Sequence, residues 1–90
     1  KNRLLSELDG AKARVETAGM RRDAAIRRAK LANETRRFFE KSFKFGETDL
    51  PTRLRIEQEA TDASKQAAQA EVAYLAAISS LRQALGLIPE

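Results

Sequence analysis

The sequence predicts an all-α fold: a long antiparallel two-helix coiled-coil hairpin, with helices over about 3–43 and 50–85 and a tight turn near Gly46. Three observations predict it. Alanine, leucine, arginine, glutamate and glutamine dominate the 90 residues, while only two prolines and four glycines interrupt them. An apolar heptad pattern runs through each half of the chain. Between the halves, residues 43–51 collect the signals that end one helix and start another.

In the first half, steps of four and three select Leu4, Leu8, Ala11, Val15, Ala18, Arg22, Ala25, Ala29, Ala32, Arg36, Phe39 and Phe43. Only Arg22 and Arg36 break the apolar run, so this is a heptad seam sustained along the whole helix. Lys12, Arg14, Glu16, Asp23, Arg27, Arg28, Lys30, Glu34 and Arg37 fall between the seam positions and belong on outer faces. At 1.5 Å per residue this helix is roughly 60 Å long. Gly10 and Gly19 each weaken it by about 1 kcal/mol, and a break at either would give a three-helix bundle instead.

The turn reads Phe43-Lys44-Phe45-Gly46-Glu47-Thr48-Asp49-Leu50-Pro51. Gly46 can take the left-handed conformation that ends a helix. Lys41 and Lys44 place positive charge where the helix dipole favours it. Thr48 or Asp49 can cap the second helix, and Pro51 suits its first turn.

In the second half, Arg53, Ile56, Ala60, Ala63, Ala67, Ala70, Tyr74, Ala77, Leu81 and Ala84 form the seam, with Arg53 its sole polar member. Tyr74 is expected to pack against alanine. A second stripe, Ala68, Val72 and Leu75 with Ile78 and Leu85 beside it, runs on an adjacent face. It means either two neighbours, as in a wall of helices, or a single wide core stripe. This helix would be roughly 54 Å long. Gly86 stops it, with Pro89 following.

Both seams are mostly alanine. Small residues let helix axes approach closely but bury little area, and at about 25 cal/mol per Å² such a seam contributes far less than a leucine one. The hairpin alone is therefore marginal, and further helices are expected around it.

Several function classes find no support. There is no cysteine and no histidine, so disulfides, thiol chemistry, histidine catalysis and the usual zinc sets are excluded. No apolar run approaches the ~20 residues that span a bilayer. The serines have no histidine to activate them, Glu57 and Glu59 face different ways, and Glu47 with Asp49 reads as helix capping. No catalytic residue, cofactor site or metal site is expected. The net charge of +4 divides unevenly: residues 1–45 carry 13 Lys/Arg against 6 Asp/Glu, and residues 46–90 carry 4 against 7. A basic half and an acidic half in one hairpin should attract each other along their length. Acids interleave with the arginines and no exposed aromatic-plus-basic surface is evident, so no nucleic-acid partner is expected. The chain opens Lys1-Asn2-Arg3, without a signal-peptide pattern or initiator methionine, as expected of a piece of a longer protein.

Phe38, Phe39, Phe43 and Phe45 crowd the end of helix one. They either plug the hairpin end or expose a surface for a partner to grip. Arg22 and Arg36, two heptads apart, either pair with acids of helix two or line a wet surface. Arg53 and Arg55 bring positive charge close to the turn.

The stretch from Phe43 through Gly46, Asp49-Leu50-Pro51 and Leu54, followed by an alanine-rich helix ending Leu85-Gly86, resembles the second-repeat hairpin of TolC-like outer-membrane efflux factors. The Gly46-Glu47-Thr48-Asp49-Leu50-Pro51 wording is most similar to the heavy-metal (CzcC-type) branch. The resemblance implies a homotrimeric outer-membrane channel whose periplasmic α-barrel contains this hairpin. The tip, Phe43, Phe45, Gly46, Glu47, Thr48, Asp49 and Leu50, would meet a periplasmic adaptor (membrane fusion) protein, and through it an inner-membrane pump. The segment itself would not enter the membrane. Many family members ring the pore with acids about six and nine residues after the tip glycine. Here those positions hold Thr52 and Arg55, so an acidic cation-selecting constriction is not expected and Arg55 would reverse its sign. The other reading is a coiled-coil adaptor or scaffold hairpin whose tip binds another protein.

Overall fold

A computed structural model of the chain describes residues 2–44, 46 and 49–87. It contains two helices, α1 (Asn2–Lys44) and α2 (Leu50–Gly86), that run antiparallel in contact along their length. The hairpin measures 67 × 17 × 13 Å, with a radius of gyration of 19.9 Å. A compact chain of this length would have a radius near 12 Å. The fold is thus a rod one helix pair thick, which two heptad seams with no third layer must produce.

The registers predicted from spacing are the ones that pack. Every seam position of α1, from Leu4 to Phe43, is buried or half-buried, as is every seam position of α2, from Arg53 to Ala84. Among the described residues the buried ones are Ala11, Ala25, Ile56 and Ala60. Three of the four are alanine, and among the described residues no large side chain is wholly enclosed. The adjacent stripe of α2 is left open: Ala68, Val72, Leu75 and Leu85 are exposed and Ile78 is half-buried. On α1, Leu5, Met20, Ile26, Leu31 and Phe38 are also exposed. The hairpin has one seam and no room to cover a second.

The reversal follows from local chemistry. Gly46 has φ +75°, a conformation that costs an L-residue roughly 1–2 kcal/mol, and its N–H donates to the Phe43 carbonyl at 3.0 Å. Asp49, in extended conformation, accepts from the Thr52 N–H at 3.1 Å. Its carbonyl opens α2 by accepting from Arg53 N–H at 3.1 Å, with Pro51 in the first turn. Thr48, the other candidate cap, lies outside the described residues, as do Phe45, Glu47 and Pro89. At the far end α2 stops at Gly86, but not through a left-handed glycine: Leu87 is the capping residue, at φ −89°, and its N–H reaches the carbonyls of Ala84 and Leu85.

Neither Gly10 nor Gly19 breaks α1. Gly19 instead makes room for the one bulky ring of the α2 seam. A Cβ at position 19 would lie 3.3 Å from Cε1 of Tyr74. Tyr74 therefore packs at a glycine. At Gly10 only the flexible Arg14 guanidinium comes within 4 Å. The two glycines should separate on mutation. Gly10→Ala should raise stability by about 0.5–1 kcal/mol through helix propensity, while Gly19→Ala should gain less or lose, because the Tyr74 ring must move. Thermal melts followed by circular dichroism check this, and equal gains at both positions would refute the close packing at Gly19.

Candidate functional site

Two places on the rod form an indentation: the tip, where charge and aromatic rings also gather, and a groove along one flank.

Each of two seam arginines lies on an aromatic ring of the opposite helix. Arg22 of α1 sits over the ring of Tyr74 in α2, 4.1 Å from its centroid. Arg53 of α2 sits over Phe43 in α1 at 4.4 Å. The ring face takes up a partly desolvated cation that a leucine or alanine partner could not satisfy. Both charges are also neutralised at their edges. Arg22 donates to Asp23 at 3.0 and 3.1 Å and comes within 3.9 Å of Glu71 in α2. The Asp23 hydrogen bond is the main reason its guanidinium holds its proton still more firmly than usual. Arg53 donates to Glu57 at 3.1 Å. Arg36 behaves differently. Its contacts, Glu40 at 3.6 Å and Asn33 at 3.4 Å, are with its own helix.

The attraction expected along the two helices is therefore concentrated in one place. Among the described residues, Arg22–Glu71 is the ion pair that crosses between helices. Two neutral-acceptor hydrogen bonds cross nearby, Arg28 to Gln66 at 3.2 Å and Asn33 to Ser64 at 3.1 Å. Most α1 cations occupy outward heptad positions and cannot reach α2.

At the tip, Phe39 and Phe43 are half-buried in the seam while Phe38 is 65% exposed, its ring edge-on to Phe39 at 5.3 Å. Two members of the cluster thus fill the seam and one is left open. Leu50 and Leu54 are exposed on the α2 side, at 54% and 58%. Beside Phe43 an indentation of about 590 Å³ is lined by Arg37, Glu40, Lys41, Phe43, Lys44 and Arg53. Of the residues singled out as the partner-binding tip, Phe43 lines this indentation and Gly46, Asp49 and Leu50 lie at the reversal; Phe45, Glu47 and Thr48 lie outside the described residues. Of the two pore-lining candidates, Thr52 is half-buried and serves the Asp49 cap, and Arg55 is exposed. Arg37 and Glu40 were not singled out from sequence. Their part emerges only because the reversal sets them beside Arg53, and a heptad count on α1 alone gives no sign of that.

The second indentation, about 530 Å³, lies between the helices nearer the open end. Ala18, Ala70, Ala73 and Ala77 help form its floor, and Arg14 and Arg21 stand at its edge. It is what an alanine seam leaves when nothing covers it. No described helix is long and apolar enough to cross a membrane.

No family model, no curated protein and no solved structure matches this chain.

The Asp49 cap gives the tip a pH dependence. Hydrogen bonding from Thr52, its side chain first and its amide second, holds the Asp49 carboxyl below its ordinary value of 3.8. A depressed folded-state pKa means the stabilisation is complete above the ordinary value and is lost as pH falls through the lower, folded-state one. Asp49→Ala should therefore lower the melting temperature at neutral pH, and Asp49→Asn should recover part of the loss because asparagine also caps. The gap between wild type and Asp49→Ala should close on acidification below the ordinary carboxylate range. A gap that persists there in thermal melts would show that the cap's charge contributes nothing.

Proposed function

We propose that this chain is a structural segment of a TolC-like outer-membrane efflux channel: a wall element of the periplasmic α-helical conduit, in which the tip contacts a periplasmic adaptor. It does no chemistry; its contribution is a passage and a joint. The observation that carries the reading is a 67 Å two-helix rod with a single alanine seam and unpartnered apolar side chains on the outer sides of both helices. Met20, Leu31 and Phe38 project from α1, and Leu54, Val72 and Leu75 from α2, all more than half exposed. A rod with apolar residues on both outer sides suits repeated side-by-side packing, α1 of one hairpin against α2 of the next. Because the two contacting surfaces differ, such packing is heterologous, and it closes into a ring when the rotation allows. α1 carries twelve Lys/Arg against six Asp/Glu and α2 four of each, so packing α1 against α2 brings together less like charge than packing α1 against α1.

The small seam residues and the arginines resting on ring faces also suit sliding of α2 along its neighbours, the motion that opening a tip requires. On this reading Thr52 and Arg55 face the passage close to its inner end, with a positive charge where an acidic ring would otherwise stand. A second reading, a scaffold hairpin that stays monomeric and holds a partner by its tip, draws on the basic indentation beside Phe43.

Side-by-side assembly separates the two readings. The chain has no cysteine, so single cysteines report cleanly. Arg22 lies level with Tyr74, which puts Met20 and Leu75 at nearly the same height on the two outer surfaces. Mixing Met20→Cys with Leu75→Cys chains at high concentration under mild oxidation should give mainly the mixed disulfide, with either variant alone giving little. A monomer in sedimentation, with no mixed disulfide over either variant's own, would refute the conduit wall and leave the scaffold.

A further inference from the structure

We propose that the indentation beside Phe43 is a docking surface for an acidic amphipathic helix of a partner protein. The inference rests on the reading of the tip as a contact point and names the chemistry of what it contacts. Arg37, Lys41 and Lys44 are exposed on α1 at a spacing of four and then three, so they form one strip about 10 Å long. Across the indentation stands Arg53, its guanidinium laid over the half-buried Phe43 ring. Four cations and one carboxylate, Glu40, line the cavity. Glu40 already meets Arg36, and Glu57 meets Arg53, so the strip itself keeps a positive excess.

Stabilisation of α1 by its dipole explains Lys41 and Lys44 but not Arg37. That effect fades within the last turn, and Arg37 lies a full turn before it. The α2 N-terminus, with the opposite dipole end, also meets α1 here, so the two ends largely offset each other. The strip is better matched to an external anion. A partner helix carrying carboxylates at the same four-and-three spacing can pair with all three cations at once, and one apolar side chain between them would cover Phe43. A continuous phosphate backbone fits less well, because Glu40 stands within the indentation. A lipid surface would draw on the exposed Phe38, Leu50 and Leu54 and leave Phe43, held in the seam beneath Arg53, uncovered; the vesicle arm of the test separates it from a helix.

The test uses the full chain and a fluorescein-labelled synthetic helix with glutamates at four-and-three spacing around a leucine. Its glutamine counterpart, a single-stranded oligonucleotide and phosphatidylglycerol vesicles serve as rivals. Anisotropy should show the acidic helix binding about tenfold or more tighter than the glutamine one, with salt weakening it. Arg37→Glu/Lys41→Glu/Lys44→Glu should weaken binding by more than about tenfold, and the milder Lys41→Gln/Lys44→Gln by a few-fold. Lys12→Glu/Arg14→Glu, towards the other end of the rod, should leave binding within about twofold. Circular dichroism confirms that each variant remains helical. Equal losses from the tip and distal reversals would overturn the proposal, as would tighter binding of the oligonucleotide or the vesicles. The Met20–Leu75 disulfide does not involve the tip, so its formation alongside a failed peptide titration would remove this surface and leave the conduit wall standing.

Discussion

The structure depends on one constraint: two long helices held together by a seam that is mostly alanine. Alanine lets the backbones come close but buries little, each methyl contributing about 0.8 kcal/mol where an enclosed leucine contributes 1.5–3 kcal/mol. Of the four buried residues among those described, Ile56 alone is large. The rod consequently has length without depth. Close approach also dictates where anything larger can go. Tyr74 fits because Gly19 lies opposite, within 3.3 Å of where a Cβ would stand.

Arginine in such a seam would ordinarily be a defect. Here Arg22 and Arg53 each rest on an aromatic face contributed by the opposite helix and each keep a carboxylate at the edge. The arrangement satisfies a partly desolvated cation without a deep core. It also places both aromatic–arginine pairs across the interface, so they register one helix against the other, one pair near the middle of the rod and one beside the reversal. Between them, Asn33–Ser64 and Arg28–Gln66 carry the register onward. The interface is thus apolar but thin, with polar contacts that fix its alignment.

The thin core links the fold to the proposed role. Apolar side chains that a third layer would have covered remain on both outer sides, and the flank between Ala18 and Ala77 stays open. On the proposed reading, that remaining apolar surface is what neighbouring helices cover. The tip differs in character. There the exposed Phe38, Leu50 and Leu54 lie near a basic strip, which on the proposed reading meets a partner.

By itself the sequence determined the helices, their seams and the place of the reversal. These depend on period and on local backbone chemistry: steps of four and three for the seam, Gly46 for the left-handed turn, Asp49 and Pro51 for the start of α2. Each such signal lies within a few residues of what it specifies. The sequence also supplied the tip residues Phe43, Gly46, Asp49 and Leu50, which do gather at one end. The tertiary structure decided what depends on which residues face each other across the pair. It set Tyr74 against Gly19 and under Arg22, turned Arg36 to its own helix, and reduced a lengthwise charge attraction to one crossing ion pair among the described residues. It also brought Arg37 and Glu40 to the side of Arg53. The physical reason is range: cation–π contacts and ion pairs act over about 4 Å, and only the folded-back chain puts residues dozens of positions apart within that distance.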